Sequence, residues 1–312
     1  MTLSSKSSLQ LRALLSAAIL LYLASQIDMS AAFAAVVSVE LLDLVAVLAL
    51  VALDRMVMIA RWLLVLRSSG QQLPLESVAR IFLVSSFLGS ALPASVGADA
   101  LRAYTLSRRT VDTSEALASV AVDRLAGVFA LTLIAVLGTV LWSSPSNAVP
   151  LVGVWLATAL VGALVTGFLF ADHLLRCVLP VRWHTSAFGK AVLPLTAAVS
   201  RYRNRRRSLV GVCCLSLAVQ LLRVVQAYLL GQSLGITVPF VYYLVFMPVG
   251  LLMFLLPVSV AGFGLPQGVI VWLLTPVGVA EDLSFALSTL MVLTGLAGNL
   301  PGAWLYAKSR RL

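Results

Sequence analysis

Apolar runs long enough to cross a bilayer recur along this chain, and they limit what it can fold into. Of its 312 residues, 61% are hydrophobic and 11% are charged, whereas soluble domains contain about 25% charged residues. Roughly 18 consecutive apolar residues mark a candidate transmembrane helix. Because such runs occupy nearly the whole sequence, we expect an all-α polytopic integral membrane protein. Residues 1–312 would form a single membrane domain without a separate soluble domain.

Six of these runs are candidate transmembrane helices. The first follows Lys6 and Arg12 and resembles a signal peptide, but it ends in a poor cleavage site. We therefore interpret it as a first helix that is retained. The six spans lie at about 11–27, 38–66, 116–142, 148–171, 209–233 and 283–306.

The positions of the basic residues predict the topology. Lys and Arg cluster near residues 6–12, 67, 102–109, 176–207 and 308–311, whereas the connections near 28–37, 143–147, 234–239 and 277–282 contain none. Cytoplasmic loops of membrane proteins carry the excess of Lys and Arg. We therefore expect a bacterial-type inner membrane protein with both termini in the cytoplasm.

Two further apolar segments, 78–106 and 240–276, are interrupted by similar sequences. Each contains the pattern Leu-Pro-x-Ser-Val, starting at Leu92 and at Leu256, 164 residues apart. The first segment must return to the cytoplasmic side, and its apolar part, 81–92, is too short to cross. In the second segment 240–260 could cross, but 269–277 is too short for a comfortable second crossing. We predict two re-entrant helical hairpins that enter from opposite faces. Full crossings by both arms of 240–276 would preserve the same topology, so the charge pattern leaves that alternative open.

These hairpins would make the protein an inverted-topology repeat. The first half is 1–171, a basic loop covers 172–208, and the second half is 209–312. Broken helices at matching positions in two halves point to a transporter's binding site. Pro removes a backbone donor and Gly permits unusual dihedral angles, so we expect the backbone breaks at Pro93, Gly97, Pro257, Gly262 and Gly264.

Charged residues inside the spans are the candidate ligands for a substrate. They cost at least roughly 2.5–3.5 kcal/mol each at the bilayer centre and almost always face the bundle interior. Asp54 could pair internally with Arg55 or Arg61, and Asp123 with Arg124. Arg223 lies about 22 Å along its helix from Ser208 and has no acid within one turn, so it is the best candidate to bind a phosphate or carboxylate. Pairing of Arg223 with Asp54 across the bundle is the competing interpretation.

Other functional classes receive little support from the sequence. There is no GxxxxGK[ST], HExxH or GxSxG motif, and the spacing of Cys and His does not suggest zinc. We expect no intrinsic catalysis, cofactor or metal, and no nucleic-acid partner. The net charge of +10 is explained by basic residues on the cytoplasmic side. The basic loop 172–208 would either anchor the topology or collect anionic lipid headgroups.

Four motifs resemble the transmembrane region of lysylphosphatidylglycerol synthases, which belongs to a broader group of flippase-like membrane proteins. The motifs are RWLL at 61–64, LPASVGADALR at 92–102, SVAVDRLAG at 119–127 and PVSVAGFG at 257–264. Two departures stand out. The group usually has Gly-Gly-Asp where this chain has Gly97-Ala98-Asp99, and commonly has Glu where this chain has Gln267.

The resemblance implies movement of a lipid or lipid-linked substrate between leaflets. It adds Asp99, Arg102, Asp123, Arg124 and Gln267 to the candidate substrate-binding residues, beside Arg61, Asp54 and Arg223. We expect the first four to converge, and Arg102 and Arg124 to be needed for transport rather than folding. Because the chain ends at Leu312, we expect no synthase domain and no aminoacyl transfer. The alternative function is a non-catalytic subunit that recruits or assists a lipid-modifying enzyme or a glycosyltransferase.

Overall fold

The computed structural model describes residues 29–90, 96–109, 112–142, 205–253 and 264–309, with the isolated positions 167, 196, 199 and 202. Every regular element in these ranges is helical, as the sequence predicts. Ten α-helices are described: α1 Met29–Val37, α2 Leu41–Ser68, α3 Leu75–Ser90, α4 Val96–Ser107, α5 Thr113–Leu141, α6 Arg206–Ser233, α7 Phe240–Met253, α8 Leu265–Leu274, α9 Glu281–Ala297 and α10 Leu300–Ser309.

Within the described ranges, three helices are long and apolar enough to cross a membrane. They are Thr113–Leu141, Arg207–Ser233 and the stretch Glu281–Lys308 formed by α9 and α10, and α1 with α2 makes a fourth if that bent pair counts as one span. These correspond to four of the six predicted spans. The predicted span 11–27 lies outside the described residues, as does the predicted span 148–171 except for residue 167.

The connection predicted near 28–37 contains a short helix. Residues 29–37 form α1, which meets α2 at an angle of 82°. Ala is the strongest helix former, and this segment contains four alanines among nine residues. The chain turns at Glu40, whose extended backbone precedes the first turn of α2.

The segment 78–106 forms two helices that double back on each other. A Cβ atom added to Gly89 of α3 would lie 2.3 Å from the Cβ of Ala98 in α4. Further from the turn, the Arg102 guanidinium lies 5.4 Å from the centroid of the Phe82 ring. The pairing of residue 89 with 98 and of 82 with 102 defines an antiparallel helical hairpin, whose connecting residues 91–95 are outside the described residues.

The segment 240–276 also contains two helices that pack together. The Tyr242 hydroxyl of α7 donates a 2.5 Å hydrogen bond to the Leu273 carbonyl of α8. A Cβ added to Gly250 would lie 3.5 Å from Ile270. Both helices belong to a large hydrophobic core that is completed by α6 and α9, whereas α2, α3 and the start of α5 surround a second core.

The long helices α2 and α6 pack antiparallel. Leu64 contacts Gly211 near one end of the pair, and Arg223 contacts Asp54 near the middle of α2. Both helices end in the same cap. The amide of Gln71 donates to the Leu66 carbonyl across Gly70, and the amide of Ile236 donates to the Gly231 carbonyl across Gly235. The two cap glycines have φ of 93° and 75°, a region that Gly adopts without a steric cost.

Helix α3 packs against α10, and helix α7 packs against α5, each at a glycine. A Cβ added to Gly302 of α10 would lie 2.1 Å from the Leu83 carbonyl oxygen of α3, and one added to Gly138 of α5 would lie 2.7 Å from the Leu244 carbonyl oxygen of α7. Pro248 lacks the amide that would bond Leu244 within the helix. Gly138 and Gly302 are 164 residues apart, the spacing of the two Leu-Pro-x-Ser-Val patterns.

Candidate functional site

The polar residues of α2 and α6 lie on the faces that these helices turn toward each other. Asp54, Met58 and Arg61 follow the i, i+4, i+7 spacing of one helical face. They meet Ser216 and Arg223 of α6, where Arg61 Nη1 donates to Ser216 Oγ at 3.2 Å and Arg223 Nη2 lies 3.2 Å from Met58 Sδ. The contact between α2 and α6 therefore contains charged side chains inside an apolar bundle.

Asp123 is the most enclosed carboxylate of the site. Its Oδ1 accepts from Arg61 Nε at 2.7 Å, and its Oδ2 accepts from Arg102 Nη2 at 3.0 Å. The side chains of all three residues are almost fully buried. The Arg102 guanidinium also lies 4.8 Å from the centroid of the Trp62 ring, a favourable cation–π distance. Asp123 therefore joins α2, α4 and α5.

Asp99 extends this ion-pair network toward the hairpin. It lies in the first turn of α4, where a helix favours negative charge. Its Oδ1 is 3.4 Å from Arg102 Nη2, and its Oδ2 accepts from Arg124 Nε. The i, i+3 spacing of Asp99 and Arg102 lets Arg102 bridge two carboxylates.

Asp54 forms a second ion-pair group. Arg55 Nη1 lies 3.0 Å from its Oδ2 and Arg223 Nε lies 3.3 Å from its Oδ1. Arg55 Nη2 also donates to the Gly295 carbonyl of α9 at 3.1 Å. This group therefore connects α2 of the first half with α6 and α9 of the second.

A cavity of about 390 Å³ lies between the two groups. It is lined by five arginines and three aspartates, a formal excess of two positive charges: Arg55, Arg61, Arg102, Arg124, Arg223, Asp54, Asp99 and Asp123. Hydroxyl and amide side chains complete the polar lining, among them Ser90 of α3 and Asn299, whose Nδ2 donates to Ser90 Oγ at 2.7 Å. The volume falls in the range of small-molecule binding sites.

The structure brings together seven of the residues that the sequence selects as substrate ligands. Two of the three alternatives for Asp54 occur together, because it pairs with Arg55 and with Arg223. The alternatives Asp54–Arg61 and Asp123–Arg124 are wrong, since Arg61 pairs with Asp123 and Arg124 pairs with Asp99. Neighbouring residues such as Asp123 and Arg124 point in different directions around a helix, so adjacency in sequence is a poor guide to pairing.

The other predicted site residues are placed differently. Gln267 is fully buried and does not line the cavity; its Oε1 accepts from the Gly264 amide at 2.7 Å, which caps α8 at a residue with φ of 104°. Gly97 lies in the first turn of α4. Pro93, Pro257 and Gly262 lie outside the described residues.

The sequence interpretation misses part of the cavity lining. Ser85, Ser86 and Ser90 of α3 all line the cavity, as does Asn299 between α9 and α10. Three serines within six residues of this helix could have indicated a polar face that lines a cavity. Nothing local in the sequence marked Asn299, because its role depends on the packing of α10 against the hairpin.

Comparison with known proteins agrees with the motifs. The family described as the lysylphosphatidylglycerol synthase TM region matches residues 9–302, nearly the whole chain. None of the curated proteins matches the sequence significantly. With its all-helical apolar bundle and its match over residues 9–302, this chain belongs to the lysylphosphatidylglycerol synthase transmembrane region family.

Proposed function

We propose that the protein is a lipid flippase that moves an anionic lipid or lipid-linked substrate between the leaflets of the membrane. The observation that carries this proposal is the arginine-rich cavity between helices of both halves. Charged residues in the interior of a membrane protein are costly and mark substrate or ion pathways. A phosphate is the natural ligand of such a site, because guanidinium groups bind it through two parallel hydrogen bonds.

Arg124 and Arg223 are the residues proposed to contact the phosphate. Their side chains are 37% and 25% exposed, compared with 5% for both Arg61 and Arg102. The two buried arginines hold Asp123, whereas the two more exposed ones reach the cavity from opposite halves. Residues Ser90 and Asn299 are placed to bond the rest of a headgroup.

The proposed topology has six spans and two re-entrant hairpins in an inverted repeat, with both termini in the cytoplasm of a bacterial-type cell. The antiparallel packing of α2 and α6, their identical caps and the reciprocal glycine contacts of the hairpins support it. A hairpin that ends inside the bilayer must satisfy its backbone within the protein. Gln267 satisfies one such backbone group, because its Oε1 accepts a hydrogen bond from the Gly264 amide at the start of α8.

Transport of this kind requires binding and a change of access, and we propose no catalytic step for this chain. The substrate is a membrane lipid, and a lipid-modifying enzyme could supply or consume it. If the protein instead only recruits such an enzyme, the purified chain would move no lipid.

Reconstitution tests the proposal directly. The purified protein would be placed in vesicles that contain a trace of phosphatidylglycerol with a fluorescent acyl chain, and dithionite would report the fraction of probe that reaches the outer leaflet. We expect Arg124→Ala to slow transfer about tenfold or more, because a hydrogen bond to a charged group contributes about 1.5–3 kcal/mol.

The matched control is Arg80→Ala. Arg80 lies in helix α3, its side chain is 36% exposed and does not line the cavity, and among the described residues it pairs with Glu76 at 3.8 Å. Transfer by the control should equal that of the unmodified protein. Vesicles with the unmodified protein that transfer probe no faster than protein-free vesicles would refute the flippase proposal and favour the accessory role.

A further inference from the structure

The charged residues that line the cavity bear on which lipid headgroup it accepts. Among the described residues that line it, three are acidic: Asp54, Asp99 and Asp123. Each of them contacts two arginines, so none offers a carboxylate free of cationic partners. This is a property of the arrangement, since the sequence alone leaves open which acids are neutralised.

The polar residue at the start of α8 supplies no acid either. It is Gln267, which is buried in the cap of α8 with its Oε1 on the Gly264 amide, and it does not line the cavity. An ammonium group in the cavity would therefore meet an excess of two positive charges without an available anion. Like charges placed together in a recognition site cost several kcal/mol.

We propose that the cavity selects a lipid whose headgroup is a phosphate ester without a cationic group. Phosphatidylglycerol and polyprenyl phosphates satisfy this rule, whereas phosphatidylethanolamine and aminoacylated phosphatidylglycerol do not. The inference deepens the proposed flippase function and rests on it. It names the substrate class that Arg124 and Arg223 recognise.

The lining itself provides a way to change this selectivity. Gln226 lies one turn beyond Arg223 in α6 and lines the cavity, and its buried Nε2 has no hydrogen-bond partner among the described residues. The substitution Gln226→Glu keeps the size of the side chain and adds one negative charge next to Arg223. It lowers the formal excess of positive charge in the lining from two to one, so an ammonium group should be excluded less strongly.

The test compares fluorescent phosphatidylglycerol, phosphatidylethanolamine and lysyl-phosphatidylglycerol in the same vesicles. We expect phosphatidylglycerol to move at least ~10-fold faster than the two amine-bearing lipids. Gln226→Glu should reduce the ratio of the phosphatidylglycerol rate to the lysyl-phosphatidylglycerol rate about tenfold. The control Gln72→Glu adds the same charge at an exposed position between α2 and α3 and should leave the ratio unchanged.

Unlabelled competitors separate the two sources of the phosphate ester. Competition by polyprenyl phosphate stronger than that by phosphatidylglycerol would identify the polyprenyl lipid as the better substrate within the proposed class. Equal or faster movement of the amine-bearing lipids would overturn the inference while leaving the flippase function intact. If no probe moves, the flippase function fails, and native mass spectrometry of the purified protein decides the selectivity: preferential retention of phosphatidylglycerol supports it, and equal retention refutes it.

Discussion

At the scale of single residues, burial separates two kinds of arginine in this site. Arg61 and Arg102 are enclosed on either side of Asp123, whereas Arg124 and Arg223 reach into the cavity. Removing one partner of a buried ion pair leaves an uncompensated charge, which is far more costly than the pair itself is stabilising. We therefore expect substitutions in the first kind to affect folding and substitutions in the second to affect transport.

Asp123→Asn tests the enclosed part of the network. It leaves Arg61 and Arg102 buried beside each other without their shared counter-ion, and the expected loss of stability is about 3–5 kcal/mol. Thermal unfolding in detergent, followed by tryptophan fluorescence, would show a much lower midpoint. Glu76→Gln, at a side chain that is 88% exposed, should leave the midpoint unchanged; an equally stable Asp123→Asn protein would contradict the assignment.

Arg102→Ala and Arg124→Ala should behave differently, although the sequence motifs treat these arginines alike. Arg102 contacts two carboxylates and the Trp62 ring, so its removal should lower both the yield and the unfolding temperature. Arg124→Ala should fold normally and lose transport. Comparing the yield of monodisperse protein with the transfer rate separates the two effects, and identical behaviour of both variants would argue against the distinction.

Arg223→Lys should impair transport more than stability. Lysine keeps the positive charge beside Asp54 but lacks the planar group that binds phosphate through two hydrogen bonds. We expect a transfer rate reduced about tenfold, with an unfolding midpoint close to that of the unmodified protein. A transfer rate that does not change would show that Arg223 serves only as the partner of Asp54.

At the scale of elements, the hairpins depend on glycines where one backbone approaches another. Gly302 lets α10 lie against the carbonyl of Leu83, and Gly138 lets α5 lie against Leu244. The Asn299–Ser90 hydrogen bond joins the same two elements that Gly302 brings together. Close packing therefore fixes the hairpin α3–α4 at the wall of the cavity.

Gly302→Ala should destabilise the protein by roughly 1–3 kcal/mol, the usual cost of overpacking. Its Cβ would lie 2.1 Å from the Leu83 oxygen, so α10 must move away from the hairpin. Gly295→Ala is the matched control, because its Cβ would have nothing within 4 Å and Ala favours a helix. Unfolding in detergent measures both; a larger loss for Gly295→Ala would contradict the packing argument.

At the scale of the whole molecule, one series of elements occurs twice among the described residues. A long capped helix, a pair of packed helices and a further long helical stretch follow one another from α2 to α5 and from α6 to α10, and the two capped helices are antiparallel. The charge pattern predicts that the two caps lie on opposite sides of the membrane. This is the arrangement in which a binding site at the interface of the halves can open alternately to either side.

Labelling of single cysteines tests this topology. Gln72 and Thr237 are exposed residues two positions beyond the cap glycines Gly70 and Gly235. In a background without the native cysteines, Thr237→Cys should react with a membrane-impermeant maleimide in intact spheroplasts, and Gln72→Cys only after lysis. Reaction of both from the same side would contradict the inverted repeat.

The sequence by itself determined the class of the protein, its helical content, its family and most of the charged residues at the site. It could do so because length, hydropathy and the exclusion of unpaired charge from lipid act locally along the chain. The repeated Leu-Pro-x-Ser-Val pattern also indicated the two hairpin segments. In the described residues, both segments are pairs of packed helices.

Only the tertiary structure decided which charges pair with each other and how far each side chain is exposed. Asp123 binds Arg61 and Arg102 from helices that are distant in sequence, instead of its neighbour Arg124, and Gln267 serves as a helix cap instead of lining the cavity. Such pairings depend on distances of a few ångströms across the bundle, to which ion pairs and hydrogen bonds are steeply sensitive. The spacing of residues along one helix does not contain that information.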